Sequence, residues 1–146
     1  MPDPHIFKIH VRFRDTDAQG HVYFANYMVF CDEAWGAYMR HIGIPYQELV
    51  KYGVDTYYVS ASCDYSGSAV YEDEVHVETH VTRLGRSSMT SEFTIRNDQG
   101  ETFAKASLTS VCVDPSTRET APIPEEFRRR VEEFEGVPFA SAETRA

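Results

Sequence analysis

Basic side chains are in short supply in this chain. Fourteen Lys and Arg face twenty-three Asp and Glu over 146 residues, a formal charge of -9. A surface that neutralises nucleic-acid phosphates has to be basic, so a general nucleic-acid binder is excluded. A small anionic ligand, which needs only a local Arg or Lys cluster, is not. Cysteine is scarce too. Cys31, Cys63 and Cys112 are odd in number, widely spaced and without a CxxC pair, which argues against a disulfide framework or a zinc site. They read as small buried apolar residues, and a reducing cytoplasm is the expected location. No apolar run approaches the roughly 20 residues of a membrane span. The stretch Met1–Lys8 lacks a basic segment leading into an apolar one, so no signal peptide is expected. Repeats and linkers are also missing. The expectation is one domain over residues 1–136, with 137–146 as a frayed tail.

What is present is an ordinary globular composition, 42% hydrophobic with nine Tyr and nine Phe. Ile6–Phe13 nearly alternates, with Phe7, Ile9, Val11 and Phe13 on one face, and predicts a half-buried strand. From about Tyr23 to Ile42 there is no Pro, and apolar residues cover most of a helical circumference. Asp32, Glu33, Gly36 and Arg40 leave only a narrow polar strip, so this helix is expected to be enclosed. Gly43 closes it, and Pro45 opens a short second helix that runs to about Tyr52. The remainder reads as strands. Thr56–Tyr65 alternates Tyr57, Val59, Ala61, Cys63 and Tyr65 against Tyr58, Ser60, Ser62 and Asp64. Glu74–Leu84, Ser88–Arg96 and Thr102–Val113 follow, joined at Gly85–Ser87 and at the Asn97–Gly100 turn signal. A terminal helix over Glu125–Glu135 carries Phe127, Val131 and Phe134 inward, with Arg128–Arg130 read as its wet face. The order predicts an α+β fold, one antiparallel five-stranded sheet around one long buried helix, with an open edge suited to dimerisation.

The chemistry is concentrated between the first strand and the long helix, in Asp15-Thr-Asp-Ala-Gln-Gly-His-Val-Tyr-Phe-Ala-Asn26-Tyr27. Asp17 sits in a turn, Gly20 tolerates a φ that other residues resist, and the helix start offers unpaired N–H groups. A carboxylate beside such amides can attack or hydrate a carbonyl while the amides hold the oxyanion.

This motif and the order of elements resemble the hotdog-fold acyl-CoA thioesterases of the 4-hydroxybenzoyl-CoA thioesterase family, over about Phe7 to Pro124. The Val111-Cys-Val-Asp-Pro115 strand end is similar as well. The resemblance implies that Asp17 is the catalytic carboxylate and that the backbone amide near Phe24 polarises the thioester carbonyl. It implies that Gly20 shapes the loop and that no cofactor is needed, coenzyme A being part of the substrate. It further implies a site at a dimer interface, with dimers pairing into tetramers. A bacterial subgroup of the family carries histidine at Phe24 and tyrosine at Phe13, so the version of the mechanism that relies on the carboxylate alone fits better here.

His21 is a candidate wall of the site, Asp15 a structural loop carboxylate, and Asn26 and Tyr27 supports of the helix start. Tyr27, Asp32 and Glu33 are the candidates near the acyl group, and Asp32 would suit a polar or hydroxylated one. Arg86, Ser87 and Ser88 lie at a turn where the family grips phosphate. The expected activity is hydrolysis of an aromatic or medium-chain acyl-CoA. A carrier-protein thioesterase, a hotdog dehydratase and a non-catalytic acyl-CoA-binding protein are the alternatives.

Overall fold

The computed structural model describes residues 2–139. Five strands, β1 (His5–His10), β2 (Asp55–Tyr65), β3 (Glu74–Leu84), β4 (Ser88–Arg96) and β5 (Thr102–Val113), form one antiparallel sheet in the order β1-β3-β4-β5-β2. The long helix α1 (Asn26–His41) lies across one face of it. The short α2 (Tyr46–Leu49) follows α1, and α3 (Glu125–Glu135) closes the end of the sheet near Leu84. The core joins Phe30, Cys31, Ala34, Trp35 and Tyr38 of α1 to Val75, Val77, Phe93, Ile95, Ala104 and Leu108 of the sheet. Alternate residues face inward, Val75, Val77, Thr79 and Val81 on β3 and Met89, Ser91, Phe93 and Ile95 on β4 being buried. The helix is apolar nearly all round because it has a sheet to fill. Its polar strip, Asp32, Glu33 and Arg40, faces out.

Three local expectations are corrected. The first strand stops at His10, and Phe13 is 70% exposed in a 3-10 turn over Phe13–Asp15 instead of sharing the inward face. Hydrogen bonds from Val11 N–H to Asp73 and from Glu72 N–H to Val11 draw the chain off the sheet. In β2 a bulge lies between Tyr58 and Ser60, where the register passes from Tyr58 opposite Ser110 to Ser60 opposite Thr109. One extra residue reverses the faces, so Tyr58 points at α1 while Tyr57 points away. Thirdly, Arg128 is not on the wet face of α3. It is buried and donates to the carbonyls of Leu84 and Gly85. Arg129 stays exposed between Glu126 and Glu133, and Arg130 reaches the carbonyl of Ile42 at 2.8 Å.

The residues Val137–Phe139 of the expected tail are partly tied down, Phe139 N–H donating to Glu132 at 2.6 Å while its ring packs on the core. The tail beyond Phe139 lies outside the described residues. No helix among the described residues is long and apolar enough to cross a membrane.

The buried carboxylate of Glu135 fastens α3 to the rest. It accepts from Tyr38 hydroxyl at 2.6 Å, from the His80 ring at 2.7 Å and from Val81 N–H at 2.9 Å. Burial, and then this carboxylate, push the Tyr38 phenol well above its ordinary range. Glu135→Ala strands three donors around an apolar gap, and a loss of about 3 kcal/mol is expected. Urea unfolding measures it; an unchanged midpoint would rule out the fastening role.

Candidate active site

The loop before α1 is built on Asp15. Its carboxylate is 4% exposed and turns back to accept from Arg12 N–H at 2.8 Å and from the Arg12 guanidinium at 3.0 and 3.1 Å. Burial alone would raise the Asp15 pKa, but the bonds and charge of Arg12 outweigh it and leave the group below the ordinary carboxylate value. The Asp15 carbonyl accepts from Tyr23 N–H at 3.0 Å and from the Asn26 side-chain amide at 2.9 Å. This places the first turn of α1 directly against the loop.

Between these anchors the chain makes a small excursion closed by a bridge of Thr16 with Val22. Asp17 N–H donates to His21 and Gly20 N–H to Asp17, with Gly20 at φ +84°, a conformation L side chains rarely adopt. The Asp17 carboxylate caps its own turn by accepting Gln19 N–H at 2.9 Å on Oδ1. Its other oxygen has no hydrogen-bond donor among the described residues. His21 points its Nδ1 at the carbonyl of Val22, 3.1 Å away.

α1 begins two residues later than Phe24. Asn26 N–H returns to Tyr23 at 2.8 Å and Met28 N–H to Ala25 at 3.1 Å, while the amides of Phe24 and Ala25 find no acceptor among the described residues. A carboxylate with one free oxygen thus shares a single short loop with two unspent N–H groups at the positive end of a helix. Tyr27 is buried, its hydroxyl accepting Ala69 N–H at 3.0 Å, so it holds the floor of the loop.

Asp32 and Glu33 stand farther along α1. They line a cleft of about 370 Å³ with Trp35, Gly36, Met39, Arg40 and Tyr58, and Asp17 is not part of its lining. Here the bulge of β2 matters, because Tyr58 donates to Asp32 at 2.7 Å. Burial and then this bond raise the Tyr58 phenol well above its usual value. Arg86 and Ser87 lie at the other end of the sheet from Asp17, since β3 runs from Glu74, beside the loop, to Leu84. Ser88, the third member of that group, is buried, and its hydroxyl accepts from Arg83 at 2.8 Å. One chain therefore brings Asp17, Gly20, His21, Phe24 and Tyr27 together and leaves Asp32, Glu33 and Arg86 apart from them. Sequence reasoning missed Tyr58 and Tyr65. Tyr65 donates to the Phe24 carbonyl at 2.8 Å, and nothing local signals a partner 41 residues away.

A five-stranded antiparallel sheet wrapped on one long helix is the hotdog fold. The model of the thioesterase-like superfamily matches residues 11–131, and the chain belongs to that superfamily. A putative esterase of Aquifex aeolicus is 32% identical over 92 residues, 63% of this chain and 72% of the relative. A 1,4-dihydroxy-2-naphthoyl-CoA hydrolase of Synechococcus elongatus is 30% identical over 120 residues, 81% of this chain and 88% of that one. Among solved structures, a gentisyl-coenzyme A thioesterase superposes with a TM-score of 0.79 at 27% identity, covering 87% of this chain and 99% of its own. The chain is a thioester hydrolase.

The Asp15 anchor gives a pH test. A carboxylate whose pKa is lower when folded adds stability that is fully present above its unfolded value, 3.8, and is lost as pH falls through the folded one. Asp15→Asn is expected to cost about 1 to 2 kcal/mol at neutral pH, tempered by the exposed side of Arg12. The gap between wild type and variant in thermal melts closes below pH 4; a gap that stays constant with pH would refute the ionised anchor.

Proposed function

We propose that the protein hydrolyses the thioester of an aromatic or medium-chain acyl-CoA to free acid and CoA, with Asp17 as the reacting carboxylate. The observation that carries this reading is the free oxygen of Asp17 in one loop with the unpaired amides of Phe24 and Ala25. The Phe24 amide, with that of Ala25 beside it, polarises the thioester carbonyl and then holds the oxyanion. Asp17 either adds to the carbonyl carbon or takes a proton from the water that does, and both routes use the same carboxylate. The tetrahedral intermediate collapses by expelling a thiolate, which leaves the free acid on the water route and, on the direct route, a mixed anhydride with Asp17 that water then hydrolyses. With a thiol pKa of roughly 8.5, the leaving group needs no acid to depart. Gly20 lets the loop turn, His21 walls it, and Tyr27 supports it from below.

The active unit in this reading is a dimer joined along β2. That strand is an edge, and it exposes Tyr57, Val59 and Tyr65, at 45%, 61% and 43%. An antiparallel pair of such edges sets the second copy end for end. Arg86 and Ser87 of that copy then arrive at the Asp17 end, where they suit the phosphates of CoA. A further pairing of dimers into a tetramer belongs to the same proposal.

The Asp32–Tyr58 pair lines a cleft that mixes the apolar Trp35 and Met39 with the polar Glu33, Arg40 and Ser110, and this mixed lining favours a hydroxylated aromatic acyl group. A relative acting on a dihydroxynaphthoyl-CoA supports that choice.

Free-thiol release from a panel of hydroxybenzoyl, plain benzoyl and fatty acyl-CoAs tests the reading. Asp17→Asn is expected to lose at least about 100-fold in kcat. Equal release by wild type and variant, or none by wild type on any substrate, rejects it. Asp32→Asn is expected to reduce the preference for hydroxylated over plain benzoyl-CoA by about tenfold in kcat/KM. An unaltered ratio removes Asp32 from the acyl site.

A further inference from the structure

The carbonyl of Phe24 is held in an unusual way. In the first turn of α1, Asn26 N–H reaches Tyr23 at 2.8 Å and Met28 N–H reaches Ala25 at 3.1 Å, but Tyr27 N–H stands 3.4 Å from the Phe24 oxygen. The short bond to that oxygen comes from outside the helix, from the Tyr65 hydroxyl at 2.8 Å. Tyr65 sits on the inner face at the end of the edge strand, opposite Ala104. Its ring meets Phe24 and Tyr27 edge-on at centroid distances of 6.2 and 5.5 Å. The peptide between Phe24 and Ala25 is planar, so fixing its C=O also fixes the direction of the Ala25 N–H. On the other side of Phe24, the Tyr23 carbonyl is held by Asn26 and the Tyr23 N–H by Asp15. The two amides with no acceptor among the described residues therefore lie in a segment clamped at both ends, and Tyr65 is the clamp contributed by the sheet.

We infer that Tyr65 is a positioning residue of the hydrolysis: its hydroxyl holds the Phe24–Ala25 peptide so that the Ala25 N–H stays aimed at the thioester oxygen beside the Phe24 N–H, whose own peptide Asn26 holds. The inference rests on the reading in which those amides stabilise the oxyanion. Burial and then the neighbouring Cys63 thiol push the Tyr65 phenol up to about 12, so it remains a donor at any pH suited to the assay. Because the strand that carries it is also the proposed dimer edge, Tyr65 links the order of that edge to the electrophilic turn.

Tyr65→Phe removes the bond to the Phe24 carbonyl, together with the hydroxyl's contact with the Cys63 thiol, and keeps the ring. An oxyanion donor that is misaimed rather than deleted should cost less than deletion does, so a fall of about tenfold in kcat is expected. KM and the affinity for an inert thioether analogue of the substrate should stay within about twofold, because ground-state contacts are untouched. The amide resonances of Phe24 and Ala25 should move, with those near His41 unchanged. Tyr38→Phe serves as the comparison, since it deletes a buried hydroxyl at the far end of α1. It should lower Tm more than Tyr65→Phe does and leave kcat as it was. Full kcat in Tyr65→Phe, alongside inactive Asp17→Asn, overturns the positioning role and leaves the thioesterase reading intact. So does a loss of kcat matched by a loss of analogue binding, which marks a structural role. Absence of thiol release by wild type overturns both.

Discussion

Asp15 turning back on Arg12 is the constraint on which the rest of the loop depends. The carboxylate is buried and spent on three N–H donors of one residue, while its carbonyl gathers Tyr23 and Asn26. That single residue closes the 3-10 turn that exposes Phe13 and sets the helix start beside the Asp17 excursion. Two aspartates two positions apart thereby receive opposite tasks. Asp15 is neutralised by its partners and made structural; Asp17 caps its turn with one oxygen and keeps the other open. The same residue type does either job, and hydrogen-bond environment decides which.

The fold explains why a hydrolytic site can be built so sparely. In the proposed hydrolysis a thiolate leaves without acid assistance, so the chain has to supply only a carboxylate and aimed dipoles. The dipoles come from the start of a helix that is apolar almost all round and therefore has to be packed against the sheet. Packing α1 on β3, β4 and β5 fixes where its first turn lies, and Tyr65 and Asn26 trim the orientation of the peptides there. Core packing and chemistry share the same atoms at that end of the helix.

Much of this was legible in the residues. Alternation in Glu74–Leu84 and Ser88–Arg96 reports the inward faces, because a strand buried on one side has a period of two. The breadth of the apolar surface on α1 reports its enclosure, and Gly20 and Gly43 fall where positive φ occurs. The illegible parts share a cause. The bulge after Tyr58 carries no local mark, since Tyr-Tyr-Val-Ser alternates plausibly in either register, yet it turns Tyr58 to Asp32. Arg128 looks like any charged member of an amphipathic helix until two carbonyls at the end of β3 turn out to face it.

The sequence by itself therefore determined the periodicities, the turn residues and the presence of a carboxylate loop ahead of an apolar helix, all of which depend on neighbours within a few positions. Tertiary structure alone decided where Arg128 is buried, which tyrosine meets the helix and which carbonyl Tyr65 holds. Those outcomes depend on contacts between residues tens of positions apart, whose geometry follows from strand register and helix placement. It also decided that Asp17 and Arg86 lie at opposite ends of one sheet, because a strand eleven residues long separates them. Local pattern can single out a carboxylate loop; only the assembled sheet and helix can set it against the start of α1.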